Sequence, residues 1–213
     1  MFTGIIEEKT KIKEIKRVPP VISLRINANC ARSLKVGDSV AIDGVCLTVV
    51  EANNNCFYVD AVPETVKNTT VSELRLGMEV NIERALPVDG RFSGHIVTGH
   101  IDGVGIIRRK LNKGDIFDLE IEFPRAFSNL IVAKGSIAVD GVSLTISKVY
   151  EDSFTVSVIP HTAMVTTLGG RRIGDQVNLE ADILSKYVMK QLEQRSEKKA
   201  IDEEYLKSVG FVK

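Results

Sequence analysis

The sequence predicts an all-β protein: two tandem, homologous small barrels with one α-helix at the C-terminal end. Three observations carry that prediction. The chain repeats itself, since sliding it by 97 positions places 39–86 on 136–183 without a gap, with 18 of these 48 positions identical. Within each copy apolar and polar residues alternate, the period of a half-buried strand. After Asp182 the period changes to that of a helix.

The first copy reads SVAIDGVCLTVV, FYVDAVPETVKNTT and RLGMEVNIE, and the second reads SIAVDGVSLTIS, FTVSVIPHTAMVTT and RIGDQVNLE. Upstream the relation continues at an offset of 95, where Thr3-Gly4 matches Thr98-Gly99 and Ile22, Leu24, Ile26 match Phe117, Leu119, Ile121. A two-residue insertion near 125–135 reconciles the two offsets. A module of about 97 residues is a comfortable size for a small domain. The expected units are therefore 1–97, 98–184, and a helix with its tail at 185–213.

The strands follow in order. Ile22, Leu24 and Ile26 alternate with Ser23, Arg25 and Asn27; Phe57, Val59 and Ala61 form a second series in the same copy. Phe117, Leu119, Ile121 and Phe123, then Phe154, Val156 and Val158, repeat the pattern in the other. Turn chemistry bounds each run: Pro19-Pro20, Val36-Gly37-Asp38, Asn53-Asn54-Asn55, Asn112-Lys113-Gly114-Asp115 and Gly169-Gly170. Such spacing fits a sandwich or a small barrel. We favour a closed barrel, because about six strands in under 100 residues leave exposed edges unless the sheet closes. Leu184, Val188 and Leu192 then recur at helical spacing, with Lys186, Lys190, Glu193 and Gln194 on other faces. A lone helix of about 15 residues is marginal in water, so this stripe must pack on a barrel or on copies of itself. Residues 196–213, rich in charge, read as a solvated tail.

Composition excludes several classes. The chain has 213 residues with 28 Lys+Arg against 28 Asp+Glu, so it lacks the basic footprint of a nucleic-acid-binding protein. No stretch approaches the ~20 apolar residues of a membrane span, and no basic-then-apolar leader opens the chain, so a cytoplasmic location is expected. Cys30, Cys46 and Cys56 form no C-x-x-C pair and indicate neither a disulfide framework nor structural zinc. His95 and His100 lack a supporting ligand cluster, so no metal site is expected. There is no G-x-S-x-G elbow, and Gly99, Gly103 and Gly105 lack the dinucleotide-fingerprint spacing.

Duplicated modules inherit one pocket, so chemistry requiring two roles shows where paired residues have diverged. Four pairs do so: Cys46 with Ser143, Glu64 with His161, Ile5 with His100, and Ala85 with Asp182. Each second-copy member can move a proton or make a hydrogen bond. Against this, a Cys in an apolar strand is more often inert core, and a Ser there a satisfied hydroxyl.

The opening MFTGIIEE, GVCLTV at 44–49, GRFSGHIVTGHIDG at 90–103, VDGVSLT at 139–145 and IPHT at 159–162 together resemble the riboflavin synthase family along the whole chain. The resemblance implies two six-stranded Greek-key barrels and a helix, assembled as a homotrimer whose C-terminal helices pack together, with lumazine synthase as a candidate partner. It implies dismutation of 6,7-dimethyl-8-ribityllumazine: one molecule gives four carbons to another, yielding riboflavin and 5-amino-6-ribitylaminouracil, with no cofactor or metal. It also implies that the productive site joins the N-terminal barrel of one subunit to the C-terminal barrel of the next. Carried over by motif, the N-barrel site uses Gly4, Ile5 and Ile6, Cys46, Leu47 and Thr48, and Asp60, Ala61, Val62, Pro63, Glu64 and Thr65. The C-barrel site uses Gly99, His100 and Ile101, Lys134, Ser143, Leu144 and Thr145, and Ser157, Val158, Ile159, Pro160, His161 and Thr162. Lys134 has an ambiguous repeat partner, Gly37 or Lys35. Strand-end backbone groups would bind the pteridine edge, with Glu64, Thr65, Thr162 and Thr48 or Thr145 reaching the ribityl hydroxyls.

For roles, the substrate's C7 methyl is acidic because its carbanion delocalises into the ring. His100 suits that proton transfer, an ordinary imidazole titrating near 6.5. Ser143 or Cys46 would add to the other lumazine or position water, Asp182 would orient or relay, and Phe2 would cover the site. The alternative is a non-catalytic lumazine- or flavin-binding antenna protein, in which these residues would decay; a structural β-module would leave the polar strand ends unexplained. Cys46, His100, Lys134, Ser143 and Asp182 are all present, which favours the enzyme.

Overall fold

The computed structural model describes residues 1–197 together with Lys207 and Gly210. Most of the tail expected at 196–213 lies outside the described residues. Alternating sequence folds into β1 (Glu8–Val18), β2 (Val21–Asn27), β3 (Ser39–Ile42), β4 (Val45–Ala52), β5 (Cys56–Ala61) and β6 (Glu79–Arg84), with helix α1 (Pro63–Asn68) between the last two. The second copy gives β7 (Gly103–Lys113), β8 (Ile116–Glu122), β9 (Ser136–Val139), β10 (Val142–Val149), β11 (Ser153–Val158), helix α2 (Pro160–Val165) and β12 (Gln176–Ala181). Helix α3 (Ile183–Glu197) follows.

Each set of six strands closes, in the orders β1-β2-β5-β4-β3-β6 and β7-β8-β11-β10-β9-β12. Hairpins join β3, β4 and β5, while β2 lies beside β5, a Greek key. Closing so few strands requires sharp bending, and each barrel supplies it at the same two places. The register shifts between Ile12 and Glu14 and between Val49 and Glu51, then again between Ile107 and Arg109 and between Ile146 and Lys148. The alternating apolar residues fill two separate cores, one holding Leu24, Phe57 and Val59, the other Leu119, Phe154 and Val156.

The barrels meet about a pseudo-twofold axis at their β3-β4 and β9-β10 turns. Both turns are Asp-Gly with positive φ, 45° and 80° at Asp43-Gly44 and 47° and 78° at Asp140-Gly141, the two-residue form whose twist matches a hairpin. The tips touch, because a Cβ on Gly44 would lie 2.6 Å from the Gly141 nitrogen. Asn81 Nδ2 donates across the axis to the Asp140 carbonyl and Thr167, and Asn178 Nδ2 donates to the Asp43 carbonyl. Both aspartates are buried, and the symmetry breaks at one position: where the first copy has Leu74, the second has Arg171, bonded to Asp140 at 2.7 Å and lying 3.8 Å from Asp43. Burial raises both aspartate pKa values; at Asp43 the neighbouring Asp140 adds to the rise, while Arg171 opposes it at both.

Phe2 is fully buried between the barrels with Ala41, Val97 and Ala138, and its backbone bridges to Val97. Cys46 packs against this cluster, so the ring lies beside the site it was expected to cover. A wholly apolar ring gains ~1.5–3 kcal/mol by leaving water, and the inter-barrel seam is where it can do so.

Candidate active site

The site is best built from the segment that precedes each barrel. Before β1, Thr3-Gly4 runs across to the second barrel, where the Gly4 carbonyl accepts the Ser143 N–H at 2.8 Å. Before β7, Thr98-Gly99 runs to the first barrel, and the Gly99 carbonyl accepts the Cys46 N–H at 2.9 Å. Ile6 packs on the core of the second barrel and Ile101 on that of the first. The two straps are therefore exchanged relative to the grouping expected from motifs. Gly4, Ile5 and Ile6 belong with Ser143, and Gly99, His100 and Ile101 belong with Cys46. The reason is geometric: the pseudo-twofold places each strap against the opposite barrel, which a sequence offset does not show.

Cys46 and Ser143 are half-buried second residues of β4 and β10, paired in register with Ala41 and Ala138. The decisive contact is at Ser143, whose Oγ lies 2.7 Å from Nδ1 of His95. His95 is buried, its Nε2 has no protein partner among the described residues, and its backbone N–H donates to the Thr3 carbonyl. Burial lowers the His95 pKa and the charge of Asp182 partly opposes this, so the ring is neutral near pH 7. A neutral imidazole bonded to a hydroxyl can hold or accept its proton. His95 stands upstream of the aligned part of the repeat, so comparing the copies was silent about it.

Asp182 caps α3, accepting the Leu184 N–H at 3.0 Å, and its field reaches His95. Close by, Asp102 accepts the Ala181 N–H and pairs with Lys186 at 2.6 Å, fastening the first turn of α3 to the second barrel. His100 is exposed beside the Gly99–Cys46 contact. Lys134 is exposed with φ of 68°, and its N–H bonds the Ile146 carbonyl as Gly37, with φ of 96°, bonds Val49. Gly37, not Lys35, is its counterpart. Leu47 and Leu144 are buried, while Thr48 and Thr145 are exposed on the same strands.

The strand-end stretches also match. Asp60 accepts the Ser23 hydroxyl at 2.5 Å, and in the other barrel Asp118 accepts the Ser157 hydroxyl at 2.7 Å. The pair is kept with its members swapped between strands, since Ser23 is paired in register with Asp60 and Asp118 with Ser157. Lys113, 2.5 Å from Asp118, holds that carboxyl below the usual range, with the Ser157 hydroxyl assisting. Ala61 and Val158 are buried at these strand ends, and Val62 and Ile159 are extended and lead into the prolines that open α1 and α2. On these short helices Glu64 is exposed and bonds Asn68, Thr65 and Thr162 are half-buried, and His161 is exposed. Among the described residues no group of three or more His, Cys, Asp or Glu could hold a metal ion.

Against known proteins, the lumazine binding domain family matches twice, at residues 3–85 and 98–182. The whole chain aligns with riboflavin synthase of Bacillus subtilis (strain 168), 42% identical over 99% of this chain and 100% of that one. The chain belongs to the riboflavin synthase family. Riboflavin synthase of Actinobacillus pleuropneumoniae is likewise 42% identical with the same coverage, and that of Photobacterium phosphoreum is 36% identical over 88% of this chain and 87% of its own. Crystal structures of LumP complexed with 6,7-dimethyl-8-(1'-D-ribityl) lumazine and with riboflavin match at TM-scores of 0.77 and 0.79, 25% and 27% identical, covering 85% of this chain and 99% of theirs. The two family matches coincide with the two barrels, one lumazine-binding repeat in each.

Proposed function

We propose that this chain catalyses the dismutation of two molecules of 6,7-dimethyl-8-ribityllumazine to riboflavin and 5-amino-6-ribitylaminouracil, as a transferase that moves a four-carbon unit. The observation that carries the catalytic reading over an antenna function is the His95–Ser143 hydrogen bond, with the imidazole buried and its Nε2 left available. A protein that only held a chromophore would have no use for a desolvated neutral base on a strand-end hydroxyl. The two substrates contain between them every atom of the two products, so the reaction requires no outside carbon donor or oxidant, and the proposal assigns it no cofactor or metal.

In this reading each barrel binds one lumazine. The half-site of the first barrel uses Cys46, Leu47 and Thr48, Asp60 to Thr65, and the strap Gly99, His100 and Ile101. That of the second uses Ser143, Leu144 and Thr145, Ser157 to Thr162, Lys134, and the strap Gly4, Ile5 and Ile6. His100 takes the C7 methyl proton, Ser143 and Cys46 add to or position water on the other ring, and Asp182 tunes His95. Two half-sites must face each other for carbon to pass between them, which holds the reacting atoms in near-attack geometry. The uncovered stripe of α3, with Leu184, Val188 and Leu192 all more than half exposed on the single chain, supports a homotrimer that brings barrels of neighbouring subunits together. The proposed setting is the cytoplasm, with lumazine synthase as a candidate associate.

The test is to incubate the purified protein with 6,7-dimethyl-8-ribityllumazine alone. One riboflavin formed per two lumazines consumed is expected. Saturable binding with no riboflavin would make it an antenna protein, and a stable monomer in sedimentation would break the inter-subunit site.

A further inference from the structure

The exchanged straps are each fastened by one buried glutamate. Glu83, on β6 of the first barrel, is 4% exposed, and it accepts three hydrogen bonds: Thr3 N–H at 2.7 Å, the Thr3 hydroxyl at 2.9 Å and Gly4 N–H at 3.0 Å. Glu180, on β12 of the second, is 1% exposed and accepts Thr98 N–H at 2.7 Å, the Thr98 hydroxyl at 2.7 Å and Gly99 N–H at 2.9 Å. The same device occurs twice, with the same residue types. It is also directional. The glycine N–H is fixed by the glutamate of its own barrel, while its carbonyl is fixed on the other barrel, at Ser143 or Cys46.

Only glycine can carry this relay. Gly4 and Gly99 have φ of 77° and 82°, and a Cβ would lie 2.6 Å from the Ser143 Cβ and 2.4 Å from the Cys46 Cβ. The strap thus rests directly on the residue it seats, and a shift of the strap shifts the Ser143 backbone from which the hydroxyl reaches His95. The glutamate must be a carboxylate, because three converging donors require an acceptor-only group. A glutamine would turn its NH₂ toward one of them.

We propose that Glu83 and Glu180 are positioning residues for the half-site of the opposite barrel: Glu83 holds the Ser143 site and Glu180 holds the Cys46 site. The part concerning catalysis rests on the riboflavin synthase reading above; the structural part does not. The two barrels are then coupled in the chemistry as well as in packing, since neither half-site is complete without the other barrel's glutamate.

The experiment compares Glu83→Gln and Glu180→Gln in the full chain by site-resolved amide hydrogen exchange, with alkylation of Cys46 read by peptide mass spectrometry and with kcat and KM for 6,7-dimethyl-8-ribityllumazine. In Glu83→Gln the Ser143 amide should exchange at least tenfold faster while the Cys46 amide and thiol behave as in wild type. Glu180→Gln should do the converse, with Cys46 alkylated several-fold faster. Both should lower kcat more than they raise KM. If either variant fails to fold, Thr3→Val and Thr98→Val each delete one of the three bonds and should show the same crossed pattern at smaller amplitude. Faster exchange at the same-barrel residue, or equal effects at both, would overturn the proposal. A wild-type protein that makes no riboflavin would instead overturn the functional reading, while the crossed exchange pattern would still stand or fall by itself.

Discussion

Replacing Arg171 with Met tests the account of the inter-barrel joint. Arg171 is the cation facing two buried carboxyls, with 17% of its side chain exposed against 0% for Asp140 and 3% for Asp43. Removing one partner of a buried ion pair leaves an uncompensated charge and costs about 3–5 kcal/mol. For a chain of this length each kcal/mol corresponds to roughly 2–4 °C, so Tm should fall by about 6–20 °C at alkaline pH. The sign of the pH dependence follows from the same geometry. Both aspartates have folded pKa values above their unfolded ones, so the native state keeps protons that the unfolded chain releases above about pH 4. Their contribution is therefore fully favourable below that pH and is lost as pH rises through the folded values. Without Arg171 those values rise further, so the loss in Tm should be much larger at pH 8.5 than at pH 5. Far-ultraviolet circular dichroism melts at fixed protein concentration measure it, and Arg171→Met/Asp140→Asn should recover part of the loss at pH 8.5. An equal loss at both pH values, or a loss below about 2 °C at pH 8.5, would refute the reasoning.

Three other outcomes are expected. Ser143→Ala leaves His95 Nδ1 without its partner, and kcat should drop by on the order of 10²-fold with lumazine affinity close to wild type in fluorescence titration; an unchanged kcat removes the serine from the mechanism. Lys134→Gly relieves a left-handed backbone that costs a non-glycine residue ~1–2 kcal/mol, so Tm should rise by a few degrees, while weaker substrate binding would reveal the work of the lysine side chain. Burial, followed by the charges of Glu8 and Glu7, pushes the Cys30 thiol up to about 11, so iodoacetamide at pH 8 should label Cys30 at least tenfold more slowly in the native protein than after denaturation.

The duplication and the strand alternation were legible because each is a local or periodic property, whereas the Asp-Gly turns, local as they are, went unremarked inside the apolar runs. Apolar residues two apart must face one core, and Asp43-Gly44 and Asp140-Gly141 adopt the same hairpin wherever they lie. The closing bulges were not legible, since a register shift changes no residue type. The Leu74 and Arg171 pair was not among the four divergent pairs singled out from the sequence, because its meaning required knowing that two aspartates share an axis.

The same division holds for the site. Two homologous barrels and the divergent pair Cys46 and Ser143 are written in the chain itself, because gene duplication leaves equivalent positions aligned and chemistry then separates them. Folding is what seats the Gly4 strap on Ser143 and the Gly99 strap on Cys46, and what bonds His95 rather than His100 to the serine. A pseudo-twofold axis is a relation between chain segments about 50 to 140 residues apart, set by which buried donors and acceptors can satisfy one another at once. That condition is solved in three dimensions, and no spacing along the chain encodes it.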